Sequence, residues 1–304
     1  MVDAAQGGAR LDKVLAALAS VGSREKARQV LRSGKVSVDG ADVGFDHAGQ
    51  PVAAGARIAI AWTRPGTGAK RVAAREALSR AQVTLLFEDD AIVVADKPAG
   101  LLTDAADTEQ ARNEDTLRKR VKAWLGGRPV FPAHRIDRDT TGVVVFAKTP
   151  AAREALKAQW ITRSPRRVYL VVVEGRFGKQ SGRFGDWMAW DGATRVQRPC
   201  EPDHPGAWFA EADFEVTRRF GDRATQLEVR LISGRRNQIR LHAMLAGHPL
   251  VGEPLYRRRE AVIPFGRQAL HAYKLGLLHP TTREPVTFEA PIPADLAGLI
   301  ASLG

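Results

Sequence analysis

The chain has a single cysteine, Cys200, in 304 residues. An internal disulfide and any Cys-x-x-Cys zinc or redox site are therefore excluded. No run of about 18 uncharged apolar residues occurs, and the first residues lack the apolar core of a signal peptide. The expectation is a soluble, cytoplasmic protein that does not engage a membrane. The seven histidines, His47, His134, His204, His242, His248, His271 and His279, show neither His-Glu-x-x-His nor another compact metal spacing, so no metal is expected. Acidic residues are also scarce: 34 Asp and Glu stand against 46 Lys and Arg, for a net charge of +12. That imbalance points to a polyanionic partner, of which nucleic acid is the commonest. Hydrophobic residues make up 44% of the chain, an ordinary globular share, and the length suits one large domain or two unequal ones.

The informative residues are concentrated in His134-Arg135-Ile136-Asp137-Arg138-Asp139-Thr140-Thr141-Gly142, which runs into the apolar strand Val143-Val144-Val145-Phe146. Asp137 lies between Arg135 and Arg138, and nearby positive charge favours its ionised form. It is then an acceptor or a nucleophile rather than a proton donor. Thr140, Thr141 and Gly142 suit a tight turn into the strand. On composition alone the loop is equally a surface ion-pair cluster at a strand entrance. A protein-kinase catalytic loop is excluded, because Ile136 interrupts the His-Arg-Asp order and no Gly-x-Gly-x-x-Gly precedes it.

In chain order, residues 9–62 read as a small domain. Leu11, Val14, Leu15 and Leu18 make an amphipathic stripe, and Ser23 caps a second helix with Ala27, Val30 and Leu31 inward and Gly34 as its stop. Val36 and Val38 lead to an Asp39-Gly40 turn, and Ile58, Ile60 and Trp62 alternate again. Residues 63–82 read as a basic linker and 83–304 as the large domain. There, Val83 to Phe87 and Ile92 to Ala95 read as strands, Asp115 as the cap of a basic-faced helix, and Ala151 to Trp160 as a helix. Residues 176–210 read as irregular hairpins or an insertion. Phe214 to Val216 and Ala224 to Ile232 read as an antiparallel pair, and Asn237 as the cap of a helix ending at Gly247. Arg235 and Arg236, at that helix start, make a natural anion site.

Several of these blocks carry a resemblance. His134-Arg135-Ile136-Asp137 through Thr140-Thr141-Gly142 resembles the His-Arg-Leu-Asp-x-x-Thr-Ser-Gly signature of the RluA-type RNA pseudouridine synthases. Asp96-Lys97-Pro98-Ala99-Gly100-Leu101, Gly234 to His242, Gly247 to Tyr256, His271 to Leu275 and Phe288 to Pro291 resemble further family blocks in the same order. The N-terminal pattern from Arg10 to Gly40 resembles a small RNA-binding domain known from a ribosomal protein. Two departures stand out: Asn237 replaces a family histidine, and Gly206 to Ala212 matches the family's Lys-x-Ala-x-Thr segment poorly.

The resemblance implies an α+β fold, with a mixed, mainly antiparallel sheet and flanking helices beside a small N-terminal α/β domain. It implies an isomerase that converts uridine in RNA to pseudouridine without a cofactor. Asp137, Tyr169 and Arg240 would be the catalytic residues, and Arg135 would enter the space of an extruded base. Arg24, Arg28 and Lys35, with Arg235 and Arg236, would contact RNA. Large-subunit ribosomal RNA is the expected partner and transfer RNA the alternative, with no obligate protein partner. A non-catalytic RNA-binding factor and an N-glycoside hydrolase are the competing classes.

Overall fold

The structure, a computed structural model, describes residues 7–61, 84–105, 114–194, 196–257 and 262–304. Trp62, Val83 and the basic stretch 63–82 lie outside the described residues. The chain divides into two compact units, a small N-terminal one and a large one that includes residues 84–123 and 127–304.

In the small unit, helix α1 (Leu11–Ala16) and helix α2 (Arg24–Arg32) precede strands β1 (Val36–Val38), β2 (Ala41–Val43) and β3 (Ile58–Ile60). Leu11, Val14 and Leu15 bury against Ala27, Leu31 and Val36. Ser23 caps α2, its Oγ accepting from the Lys26 N–H at 3.3 Å. Asp39 and Gly40 both have positive φ, as a two-residue hairpin turn between β1 and β2 requires. The expected α1 stripe is one turn too long. The helix stops at Ala16, Leu18 is 39% exposed, and a turn brings Val21 inward in its place.

The large unit begins with β4 (Thr84–Glu88) and β5 (Ile92–Lys97), followed by α3 (Leu117–Trp124), β6 (Phe131–Pro132), β7 (Thr141–Ala147) and α4 (Pro150–Ile161). Next come β8 (Arg166–Glu174), β9 (Ser181–Asp191), β10 (Val196–Pro199), β11 (Trp208–Phe220) and β12 (Ala224–Leu231). The chain ends with α5 (Gln238–Leu245), β13 (Leu270–Leu278), β14 (Pro285–Glu289) and α6 (Ala294–Leu303). The large-unit strands form one sheet in the order β10-β9-β11-β12-β8-β13-β7-β5-β4, with β14 beside β13 and β6 beside β7. Every pairing is antiparallel except β7 with β13. Central strands β5, β7 and β8 are buried on both faces, which is why they read as unbroken apolar runs. The fold is the expected α+β, mainly antiparallel class.

Three local expectations are corrected. Residues 176–210 are more regular than expected: between the loops 176–180 and 200–207 they supply β9 and β10, an antiparallel hairpin, and then the start of β11. Phe184, Met188, Ala210 and Ala212 bury one face there, while exposed aromatics on both faces obscure the alternation. Thr116, not Asp115, caps α3, its Oγ1 accepting from the Lys119 N–H at 3.2 Å, while Asp115 pairs with Arg120. Asn237 makes no side-chain cap on α5 and sits in the left-handed region at φ 54°.

Gly142 opens β7 at φ 114°, where a Cβ would lie 2.2 Å from the Ala272 carbonyl oxygen across the parallel pairing. A side chain cannot enter without parting β7 from β13, the two strands nearest the Asp137 loop. Gly142→Ala is therefore expected to lower stability by more than about 4 kcal/mol, the range of strongly disruptive substitutions. Urea denaturation checks this, and a midpoint unchanged from the parent protein would remove the constraint.

Candidate active site

The Asp137 loop connects β6 to β7 and is tied down through its backbone. Lys97, fully buried at the end of β5, donates from Nζ to the carbonyls of Pro98, Leu101 and Arg138 at 2.8, 2.7 and 2.6 Å. Burial draws its pKa down to about 7 against the opposing pull of Asp139 and Asp137. The three acceptors match the three N–H groups of the ammonium form. Thr103 Oγ1 donates to the Ile136 carbonyl at 3.1 Å and accepts from the Ile136 N–H at 3.2 Å. Arg267 donates to the Asp139 carbonyl at 3.1 Å, and Gln268 to Thr140 Oγ1 at 3.3 Å. The loop thus presents Asp137 in one orientation.

Two donors hold the Asp137 carboxylate, both at the same oxygen. Asn237 Nδ2 donates to Oδ2 at 2.8 Å and Arg240 Nη1 at 3.2 Å. Among the described residues nothing donates to Oδ1, and the side chain is 25% exposed. Oδ1 is the oxygen left for a ligand. Arg240, on α5 with its side chain 6% exposed, is held in turn by Glu253. Its Nε and Nη2 donate to the two Glu253 oxygens at 2.8 and 2.6 Å, a bidentate pair. Glu253 Oε1 also accepts from the N–H groups of Leu255 and Tyr256 at 2.9 and 3.1 Å. Burial alone would lower the Arg240 pKa, but Glu253 and then Asp137 raise it above its ordinary value. It is a permanent cation.

Tyr169 lies on β8, opposite Val229 and Ala272, and is 8% exposed. Burial pushes its phenol up to about 12, with Arg167 opposing and the Asp137 charge adding to the rise. It keeps its proton at neutral pH. The structure therefore groups Asp137, Arg240 and Tyr169. His134 is no proton carrier: burial pulls it down to about 3, it stacks on Trp160, and its Nε2 accepts from the Val145 N–H at 3.3 Å.

The other expected residues fall at several places. Arg135 is exposed and makes no hydrogen bond or ion pair among the described residues. Arg235 and Arg236 lie over the rings of Trp208 and Trp190. Arg24 and Arg28 belong to the small unit, where with Arg10 they surround the buried carboxylate of Asp12 at 3.6, 3.5 and 3.2 Å. One buried negative charge thus orients three arginines and leaves that face basic. Lys35 is partly buried at the entry to β1.

Sequence reasoning missed Lys97, Thr103, Glu253, Asp12 and the role of Asn237 as a donor to Asp137. A lysine before proline at the end of an apolar strand was a usable signal for Lys97. Glu253, in a loop of Gly and Pro, gave none.

A carboxylate with one oxygen open, oriented by a buried arginine and set near a buried tyrosine on a basic protein, makes a candidate active site. Residues 91–245 match the RNA pseudouridylate synthase family and residues 9–43 the S4 domain. An uncharacterized RNA pseudouridine synthase of Bacillus subtilis is 34% identical over 97% of this chain and 94% of its own length. Ribosomal large subunit pseudouridine synthase D of Pseudomonas aeruginosa is 33% identical over 98% and 92%. The human RNA pseudouridylate synthase domain containing 4 structure shares the fold at TM-score 0.59, with 20% identity over 77% of this chain and 96% of that one. The chain belongs to the RNA pseudouridine synthase family, carries an S4 domain, and is an isomerase.

Removing the Glu253 charge would leave Arg240 buried with half its pairing lost. Glu253→Gln is expected to cost about 3–5 kcal/mol, the range for breaking a buried ion pair. Chemical denaturation reads this directly. A loss below about 1 kcal/mol would mean that the pair does not hold the site together.

Proposed function

We propose that this enzyme converts specific uridines of large-subunit ribosomal RNA to pseudouridine in the cytoplasm, with Asp137 acting on the sugar of a nucleotide extruded from its stack. The observation that carries the proposal is the Asp137 carboxylate, held at Oδ2 by Asn237 and Arg240 and open at Oδ1. The ribosomal target rests on the name of the Pseudomonas relative and on the S4 domain. In this reading residues 9–62 are the RNA-binding domain, 63–82 a basic linker and 83–304 the catalytic domain.

The uracil of a stacked uridine hides its glycosidic bond, so the base must leave the stack at a cost of a few kcal/mol. Arg135, exposed in the Asp137 loop and without a hydrogen-bond or ion-pair partner among the described residues, fills the vacated position with a planar cation in this reading. Asp137 then starts the reaction by attacking C1′ or by removing the C2′ proton. The N1–C1′ bond breaks with its electron pair leaving on the uracil, the uracil turns, the C5–C1′ bond forms as the Asp137–C1′ bond breaks or as the proton taken from C2′ returns, and the C5 proton leaves while N1 takes one up. Arg240 keeps the carboxylate oriented throughout. Tyr169 stacks on the uracil, and since its phenol is protonated it accepts the C5 proton only in concert with releasing its own. Water must be kept from the detached uracil until the C5–C1′ bond forms.

Asp137→Asn is expected to abolish pseudouridine formation while RNA binding survives. Tyr169→Phe is expected to lower tritium release from RNA labelled at uridine C5 by roughly 100-fold, a general acid–base contribution. Full activity in the first variant would end the assignment of the carboxylate, and in the second that of the proton relay.

In the S4 domain, Arg24, Arg28 and Lys35 contact phosphates and position the RNA without reading its sequence. The double variant Arg24→Gln, Arg28→Gln is expected to reduce the slope of log affinity against log salt by about 1 to 2. An unchanged slope would take these arginines off the RNA.

A further inference from the structure

The Asp137 site leaves one feature of its own sheet face unused. Direct strand partners run Tyr169, Val229, Phe214 and Gly182 from β8 across to β9, so these four share a face. Side chains alternate along a strand, which places Trp190 of β9 and Trp208 of β11 on that same face. They are 41% and 53% exposed. Trp208 sits opposite Met188, so Trp190 is its diagonal neighbour at about 7–8 Å.

Each tryptophan carries an arginine. The Arg235 guanidinium lies 3.7 Å from the Trp208 ring centroid, and that of Arg236 lies 4.2 Å from Trp190. Among the described residues neither arginine has an acidic partner. Their backbone is anchored: Gln238 Oε1 accepts from the Arg235 N–H at 3.0 Å and from Ser233 Oγ at 2.9 Å, while its Nε2 donates to the Glu211 carbonyl at 2.9 Å. The next residue, Asn237, touches Asp137. The two arginine–tryptophan pairs therefore begin one residue from a direct contact of the proposed catalytic carboxylate.

Two tryptophans on one exposed strand pair are costly apolar surface unless something covers them. The cover present is a flat cation, which has the shape of a nucleobase and prefers phosphate. Trp187 and Phe209 are exposed too, but they lie on the opposite face and pack on each other at 5.3 Å. They do not belong to this surface.

We infer that Trp190 and Trp208 are a stacking platform for two unpaired nucleotides adjoining the target uridine. The bases take the ring faces that Arg236 and Arg235 now cover, and the displaced guanidiniums pair with the flanking phosphates. Duplex RNA does not offer free base faces, so the surface selects a single-stranded segment. The inference rests on the RNA substrate of the proposed function and adds the form that RNA takes beside the site.

The test uses the full chain with two probes, a short fluorescein-labelled oligouridylate and a blunt RNA duplex of the same length, read by anisotropy. Trp190→Ala and Trp208→Ala should each weaken oligouridylate binding roughly 10-fold, as loss of one base stack does. Trp→Phe at either position should restore most of it, and duplex affinity should not change. Alanine variants that bind oligouridylate as the parent does would overturn the platform and leave the patch to a protein partner or a second copy. Equal losses on both probes, or no rescue by phenylalanine in a variant with unchanged circular dichroism, would overturn it as well. Pseudouridine formation by the parent protein is measured in parallel on unmodified ribosomal RNA. If it is absent while the binding pattern holds, the proposed function fails and the platform stands; if it is present with unaffected variants, only the platform fails.

Discussion

Glu253 and Arg240 form the interaction on which the site depends. Both are almost fully withdrawn from water, an expensive arrangement for two charges, and a well-packed apolar pair of similar volume would often be as stable. Its use here is orientation. Glu253 occupies Nε and Nη2, so Nη1 is the edge of the guanidinium that remains, and it points at Asp137 Oδ2. Glu253 also balances the buried cation, which leaves the Asp137 charge available to a ligand.

The surrounding fold fixes the other half of that contact. Asp137 is on a loop, and loops position poorly unless they are tied at several points. Lys97, Thr103, Arg267 and Gln268 do this through backbone atoms and the Thr140 hydroxyl. Gly142 permits the close parallel approach of β7 to β13 that brings Arg267 and Gln268 to the loop. β7, which leaves the loop, is buried on both faces, so the carboxylate is carried at the entrance to the core of the sheet. The S4 domain works by the opposite logic: Asp12 is buried so that Arg10, Arg24 and Arg28 can be exposed together.

Much of this was legible from residue order. The apolar runs of β5, β7 and β8, the Ser23 cap and the Asp39-Gly40 turn are local signals, and local signals survive folding. The polar loop before β7 was recognisable because charged residues at the mouth of a buried strand need a reason to be there. Long-range partners were legible only where the family resemblance grouped them, as with Asp137 and Arg240. Glu253 and Arg240 are 13 positions apart, Asp137 and Arg240 are 103, and no periodicity links them. Asn237 was read as a helix cap because asparagine favours that place. Its left-handed backbone instead turns the side chain across to Asp137. The segment 176–210 was read as irregular hairpins or an insertion because it is rich in Gly, Trp, Asp and Pro, and its tryptophans, exposed in the fold, reverse the pattern expected of a sheet with one solvated face.

The most direct measurement is a crystal structure of the enzyme with ribosomal RNA fragments in which the target uridine is replaced by 5-fluorouridine. The account predicts the modified nucleotide out of its stack, with the sugar C1′ or C2′ about 3–3.5 Å from Oδ1, the base against Tyr169, and the Arg240–Oδ2 bond intact. A sugar approaching Oδ2, or a base still stacked and remote from residue 137, would contradict the mechanism built here on that one open oxygen.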